Sequence, residues 1–403
     1  MTVEGFTEEE VARRAETTPE RVRLLAELGI LEPTNGTYPR RDVLRTRFVL
    51  GLDAIGVDEK AIAEAVASGD LTLGYVEAGG RRPPRSDRTF AQLSDEIDIP
   101  FPMLERIYVA FGLSRPAADE YVREEDLRLL KIVPVLFGAG VSEGEILRLA
   151  RVWGDSARRV AQFQSHYLHG SIEEPFRRRG LGDNEAFEAA LREVSVQSGR
   201  SGEDLLGWLY RRHCEAFQTE HLFEHVETAL EDAGVHRREP RQVEACAFAD
   251  LSGYTRLTEE SGDEVAAQVS VKLAQLVNEI ASRHAGAVVK MLGDGVLFHF
   301  KDPQDAVMAS LEMLDRVRPA GLPPAHVGVN AGPMIYEEGD YFGRTVNIAA
   351  RIASQAGPDQ VFLGEDVLQH IETTGFRVVE AGAFELKGIE KPLTLYEATR
   401  DDT

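Results

Sequence analysis

Val288-Val-Lys-Met-Leu-Gly-Asp-Gly-Val-Leu-Phe-His-Phe300 is the stretch whose reading decides the fold. Apolar β-formers flank Gly293-Asp294-Gly295, and glycines on either side of an aspartate are the chemistry of a tight hairpin. The stretch therefore reads as strand, two-residue turn, strand. It holds a carboxylate at the tip of a buried ribbon, with Lys290 just before it. An isolated Gly-Asp-Gly is most often a turn former and nothing more. Here two other segments share its chemistry.

Upstream, Cys246-Ala-Phe-Ala-Asp-Leu-Ser-Gly-Tyr-Thr255 reads as an apolar strand ending at Asp250, a glycine-containing turn, then a helix. A strand-to-helix turn leaves backbone N–H groups that bind phosphate. Asp250 and Asp294 could share Mg²⁺, which favours carboxylates together with substrate phosphates. Downstream, Gly339-Asp-Tyr-Phe-Gly-Arg-Thr-Val-Asn-Ile-Ala-Ala-Arg351 places Asn347 and Arg351 four residues apart, on one face of a helix.

Taken in order, these three segments resemble the catalytic core of a class III nucleotidyl cyclase, the adenylate/guanylate cyclase family, over roughly residues 241 to 399. The resemblance implies an α+β fold, a ferredoxin-like catalytic domain preceded by an all-α regulatory region. It implies that Asp250 and Asp294 bind metal, joined by the Leu251 carbonyl, with two Mg²⁺ (or Mn²⁺) ions per site. Backbone N–H groups from Leu251 to Tyr254 would cradle phosphates, which makes Ser252, Gly253 and Tyr254 substrate-binding. Lys290 and Asp340 would read adenine, Asn347 and Arg351 would serve the transition state, and Lys387 would meet the terminal phosphates. The expected substrate is ATP, and the products cyclic AMP and pyrophosphate. Lysine donates and aspartate accepts, which suits N1 and the N6 amine of adenine; guanine reverses both groups. In this family the metal aspartates and the base-reading residues of one site come from different subunits, so a homodimer through the catalytic domain is implied and a monomer would be inactive. Two rivals are a guanylate cyclase, which Lys290 and Asp340 disfavour, and a transcription regulator whose cyclase fold only senses nucleotide.

Composition narrows the rest. The 403 residues suffice for two or three domains, and 68 acidic against 45 basic residues give a net charge of −23. That disfavours nucleic acid and anionic membrane as partners. The acidic start, Met1-Thr-Val-Glu-Gly-Phe-Thr-Glu-Glu-Glu10, is not a signal peptide. The most apolar run, Leu129 to Val141, is interrupted by Lys131, Pro134 and Gly138 and is too short to span a bilayer. Two cysteines, Cys214 and Cys246, make no disulfide framework. A soluble, reduced, cytoplasmic protein is expected.

Four segments are expected: 1–84, 85–200, 201–240 and 241–403. In the first, Thr7-Glu-Glu-Glu10 is a capping box, Thr18-Pro19 opens a second helix, and Gly29 closes it. With Val22 to Leu31 and Tyr38-Pro-Arg-Arg-Asp-Val43 this segment resembles a MerR-type winged helix-turn-helix. Residues 1–80 hold nine Lys/Arg against fifteen Asp/Glu, a balance of −6, so a helical scaffold is favoured over DNA binding. After a Gly79–Pro84 hinge the pattern recurs: Gly56-Val-Asp-Glu-x-x-Ile62 returns as Gly140-Val-Ser-Glu-x-x-Ile146. A second, degenerate unit is expected to follow. Leu205 to Leu230 reads as one long linker helix, stopped by Pro240. His213, His221 and His225 lie on one of its faces at multiples of four, where they would be surface histidines of an amphipathic helix, a pH sensor or, for His221 and His225, a metal pair. Some cyclases of the family carry resembling N-terminal regions that respond to pH or lipid, which implies regulation here by pH, a small molecule or a lipid.

Overall fold

The computed structural model describes residues 5–74, 76, 85–198, 201–235 and 243–401. The expected Gly79–Pro84 hinge and the Pro240 stop, with their boundaries at 84/85 and 240/241, lie outside those residues, as does the boundary at 200/201. The chain falls into two compact units, Met1–Thr219 and Glu220–Thr403, divided within a helix.

The first unit repeats one local plan. Thr7 caps α1 (Glu8–Ala15) in a reciprocal capping box with Glu10, and α2 (Pro19–Glu27) follows. Phe6 and Tyr38 form an antiparallel bridge, after which come α3 (Arg40–Ala54) and α4 (Glu59–Ser68). The plan returns with β1 (Arg85–Thr89), α5 (Phe90–Ile97), α6 (Phe101–Ala110), β2 (Tyr121–Arg123), α7 (Glu124–Leu130), α8 (Ile132–Gly138) and α9 (Glu143–Tyr167). Thr89 and Gln92 make the matching capping box, and β1 pairs antiparallel with β2 where the first copy has the Phe6–Tyr38 bridge. Gly56 and Gly140 take left-handed φ of 89° and 87° ahead of the last helix of each copy, a conformation that favours glycine. Each copy has its own apolar core, one around Val22, Leu25 and Ile30, the other around Leu93, Leu104 and Ile107. Among the described residues of this region β1 and β2 are the only paired strands, and period-3.6 patterning did not reveal them.

Beyond α9 a π-helical turn (Leu168–Glu173) leads to α10 (Glu174–Arg178) and α11 (Asp183–Ser198). α12 (Ser201–Asp232) is the expected long helix, four residues longer at its start and two at its end. It exposes Trp208, Phe217, Leu222 and Phe223.

The second unit is built on β3 (Ala245–Leu251), α13 (Tyr254–Ser261), α14 (Asp263–Arg283), β4 (Gly286–Leu292), β5 (Gly295–Phe300), α15 (Pro303–Val317) and β6 (Ala325–Ala331). The strand order β6-β3-β5-β4 is the split β-α-β arrangement of a ferredoxin-like sheet, and every neighbouring pair in it is antiparallel. α13 and α14 are separated at Gly262, whose φ of 86° breaks the helix. β6 ends at Ala331, ahead of Pro333, which cannot donate to a ladder. Ile335–Glu337 (β7) instead pairs with Asp340–Phe342 (β8) in a separate hairpin. After α16 (Arg344–Ala353), β9 (Val361–Gly364) joins β6 in parallel. α17 (Glu365–Leu368) follows, and β10 (Phe376–Phe384) and β11 (Leu393–Arg400) complete seven strands.

Apolar periodicity explains the two faces. One face of the sheet buries Ala247, Phe298, Phe300 and Val329 under Leu273, Val277 and Ile280 of α14 and Val307 and Met313 of α15. The other buries Cys246 and Leu297 under Val346 and Ala349 of α16. Burial of such side chains is worth roughly 1.5–3 kcal/mol each. Among the described residues no helix is long and apolar enough to cross a membrane.

Candidate active site

The turn between β4 and β5 carries Asp294, and the end of β3 carries Asp250. Two backbone features bring them together. β3 and β5 pair so that Asp250 lies opposite Gly295, and the Leu251 N–H donates to the Asp294 carbonyl at 3.2 Å. Gly295 is required by the carboxylate: a Cβ there would stand 2.9 Å from the Asp250 Oδ1. Burial, and then the Asp294 charge beside it, push the Asp250 carboxyl above the ordinary range, against the pull of His326.

His326 is a neighbour that sequence reading missed. It stands opposite Asp250 on β6, with Nε2 3.8 Å from Asp250 Oδ2 and Nδ1 3.1 Å from Ser252 Oγ. The signal available was only its place at the start of a strand, which says nothing of register. Ser252 N–H donates to the Pro324 carbonyl at 2.7 Å. The N–H groups of Leu251 and Ser252 are thus already occupied, which corrects the expected four-residue phosphate cradle. Gly253 caps α13 and Tyr254 opens it, and the N–H groups of a first helical turn have no intrahelical acceptor. The Tyr254 hydroxyl is turned elsewhere, donating to the Ala266 carbonyl at 3.0 Å and lying 2.9 Å from Ser270 Oγ.

Lys290 on β4 and Asp340 on β8 form an ion pair, although fifty residues separate them. The other oxygen of Asp340 accepts the Tyr341 N–H at 2.8 Å. Asn347 and Arg351 are both exposed on α16, on the face away from the sheet, and Lys387 is exposed after β10. Among the described residues the side chains of these three have no hydrogen-bond or ion-pair partner. The fold therefore joins Asp250 with Asp294 and Lys290 with Asp340. It leaves Asn347, Arg351 and Lys387 free.

On α12, His213, His221 and His225 are exposed; the Nε2 atoms of His221 and His225 lie 3.1 Å apart with their rings edge to face. Among the described residues no cluster of three or more His, Cys, Asp or Glu side chains is arranged to hold a metal ion. Among the described residues the His221–His225 pair is thus joined by no third ligand of that kind, and Asp250 with Asp294 supplies two carboxylates.

Residues 238–398 match the family described as the adenylate and guanylate cyclase catalytic domain. The chain is 26% identical over 325 residues to a protein of Mycobacterium tuberculosis named a pH-sensitive adenylate cyclase, across 77% of this chain and 78% of that one. It is 28% identical over 268 residues to an adenylate cyclase of Streptomyces griseus, across 65% of this chain and 62% of that one. Among solved structures, the adenylyl cyclase CyaB of P. aeruginosa aligns at 22% identity and a TM-score of 0.37, over 40% of this chain and 96% of that one. The family match does not extend over residues 1–237, so the winged-helix resemblance rests on its own residues alone.

Proposed function

We propose that this chain, whose residues 238–398 match the cyclase catalytic domain, is an adenylate cyclase that converts ATP to 3′,5′-cyclic AMP and pyrophosphate at sites shared between two copies. The observation that carries the reading is the joining of Asp250 and Asp294 at one end of the sheet, in the matched part of the chain. Two like charges held this close resist joint ionisation, and a divalent cation relieves that conflict. Asp250, Asp294 and the Leu251 carbonyl would hold two Mg²⁺ or Mn²⁺ ions, whose chemistry is to stabilise the 3′-alkoxide and the triphosphate charge.

The remaining roles belong to protein groups. The Gly253 and Tyr254 N–H groups, at a helix N-terminus, suit phosphate oxygens. Arg351 supplies a guanidinium where charge builds on the α-phosphate, Asn347 orients the ribose, and Lys387 neutralises the departing pyrophosphate. Lys290 donates to N1 of adenine and Asp340 accepts from its amine, so guanine would leave two polar groups unpaired. Asn347 and Arg351 stand unpaired on an exposed helix face, which supports a site completed by a second copy of the chain. The exposed Trp208, Phe217, Leu222 and Phe223 of α12 support self-association as well.

The N-terminal unit is read as the regulator. A cleft of about 600 Å³ within it is lined by Arg13, Arg14, Arg40, Arg47 and Arg85 against three carboxylates, a positive site in a chain of net charge −23. That supports an anionic small-molecule or lipid effector. The exposed His213, His221 and His225 support a pH input.

One assay tests the proposal. The full chain with ATP and Mg²⁺ or Mn²⁺ should form cyclic AMP, with GTP a poor substrate, and Asp294→Ala should fall to background with an unchanged melting curve. Normal turnover by Asp294→Ala would show the site misplaced. Run from pH 5 to 8, the assay should give a shifted profile when His213, His221 and His225 are all changed to Gln; an unmoved profile removes them as sensors.

A further inference from the structure

His299 is a buried polar residue to which the chemistry above gives no role. It is the next-to-last residue of β5, opposite Cys246 on β3 and Ala287 on β4. Directly opposed residues of a sheet share a face, so the ring lies on the α16 side with Cys246 and Leu297, at 7% exposure. Its free side is covered by Tyr341: the rings are 10° from parallel with centroids 4.2 Å apart. Tyr341 in turn meets Tyr336 across the hairpin at 5.1 Å. The hairpin is two strands of three residues, and a ribbon that small does not hold its own position in water. The His299–Tyr341 stack ties it to the seven-stranded sheet. Asp340 is one residue from Tyr341 and accepts its N–H.

The choice of histidine has a cost. Nε2 is buried without a hydrogen-bond partner, and the Glu244 Oε2 stands 3.5 Å away, beyond good hydrogen-bond geometry. A phenyl ring would fill the same space without an orphaned nitrogen. The titratable and charged groups around the ring are Glu244 just before β3, the Cys246 thiol on β3, and Tyr341 and Tyr336 on the hairpin. Lys301 lies two residues further along its own chain, and the Lys290–Asp340 pair adjoins Tyr341. α16 contributes only Val346 and Ala349 to this cluster.

We propose that His299 is a positioning residue for base recognition: its neutral ring is the floor on which Tyr341 lies, and through Tyr341 it fixes Asp340 opposite Lys290. The inference rests on the adenylate cyclase reading. His299 does not touch substrate, and its effect falls on binding rather than on chemistry at phosphorus. Burial pushes its pKa below the ordinary histidine value, against the pull of Glu244, so the ring is neutral at pH 7. On the acid side of that value the ring gains a proton, is drawn toward Glu244, and the floor under Tyr341 shifts. The structure thus carries a route by which acid weakens ATP recognition without touching the metal aspartates.

The test measures kcat and KM for ATP and GTP, with the full chain, from pH 5 to 8. The variants are His299→Ala, which removes the stack, and His299→Phe, which keeps it and cannot titrate. His299→Ala should raise KM for ATP about 10- to 100-fold at every pH and erode the preference over GTP by the same factor, with kcat little changed. His299→Phe should restore the wild-type KM at pH 7 and abolish the rise in KM that wild type shows in acid. If His299→Ala does not fold, the comparison of wild type with His299→Phe decides alone. A folded His299→Ala with wild-type KM and base preference overturns the inference, as does a His299→Phe variant whose acid limb matches wild type. A wild-type chain that makes no cyclic AMP overturns the cyclase reading instead.

Discussion

Asp42 has no exposure in α3; its Oδ2 accepts the Glu32 N–H at 3.1 Å and its Oδ1 has no partner. Burial pushes its carboxyl up to about 6, against that hydrogen bond and the Arg45 and Arg41 charges. A pKa raised on folding gives stability that is present below the unfolded value and lost as pH rises through the folded one. The window here runs from about pH 4 to 6, and two units correspond to roughly 3 kcal/mol. Asp42→Asn keeps the acceptor and removes the charge. Urea unfolding at pH 4 and pH 6 should therefore find that the variant loses less stability than wild type over this window; an equal change in both would place its source elsewhere. Asp42 entered the sequence reading only within the Tyr38–Val43 segment of the winged-helix resemblance, because patterning does not report which polar residue ends up buried. Asp250 and Asp294 were legible because each sits at a turn or strand end whose local chemistry marks it, whereas Lys290 and Asp340 were implied by the family resemblance. His326 and His299 were not, since their roles come from cross-strand register: Asp250 opposite His326, and Cys246 opposite His299.

At the scale of elements, α16 carries Asn347 and Arg351, and its seat on the sheet depends on Gly328 of β6. A Cβ at Gly328 would lie 2.1 Å from the Ala353 nitrogen and 2.6 Å from the Ala349 carbonyl oxygen, both backbone atoms that cannot swing aside. Gly328→Ala should cost about 1–3 kcal/mol in denaturant unfolding, the usual range for overpacking, and should depress cyclization by displacing Arg351. Unaltered stability and turnover would mean that the helix shifts freely. The ferredoxin-like plan of the second unit was implied by the family resemblance, and in the first unit the recurrence of Gly56-Val-Asp-Glu as Gly140-Val-Ser-Glu was legible as a repeated motif. The β1–β2 ribbon of the first unit was not legible, because a three-residue strand carries too short a pattern. The structure extends the repeat to the capping boxes at Thr7 and Thr89 and to left-handed caps at Glu16 and Asp98. Those matches depend on side-chain hydrogen bonds and φ, which short similar sequences alone do not specify.

For the whole molecule, the proposal is a symmetric dimer in which each site draws its metal aspartates from one copy and Asn347 and Arg351 from the other. The measurement that tests it most directly is complementation between Asp250→Ala and Arg351→Ala. Each variant alone should be inactive, because every site then lacks one essential part. In a mixed dimer one site carries both lesions, and the other takes Asp250 from the Arg351→Ala chain and Arg351 from the Asp250→Ala chain. Random pairing of equal amounts makes half the dimers mixed, each with one sound site of two, so co-expression should restore roughly a quarter of wild-type cyclic AMP formation. A co-expressed dimer shown to contain both chains, yet with no recovered activity, would contradict independent sites shared between two copies.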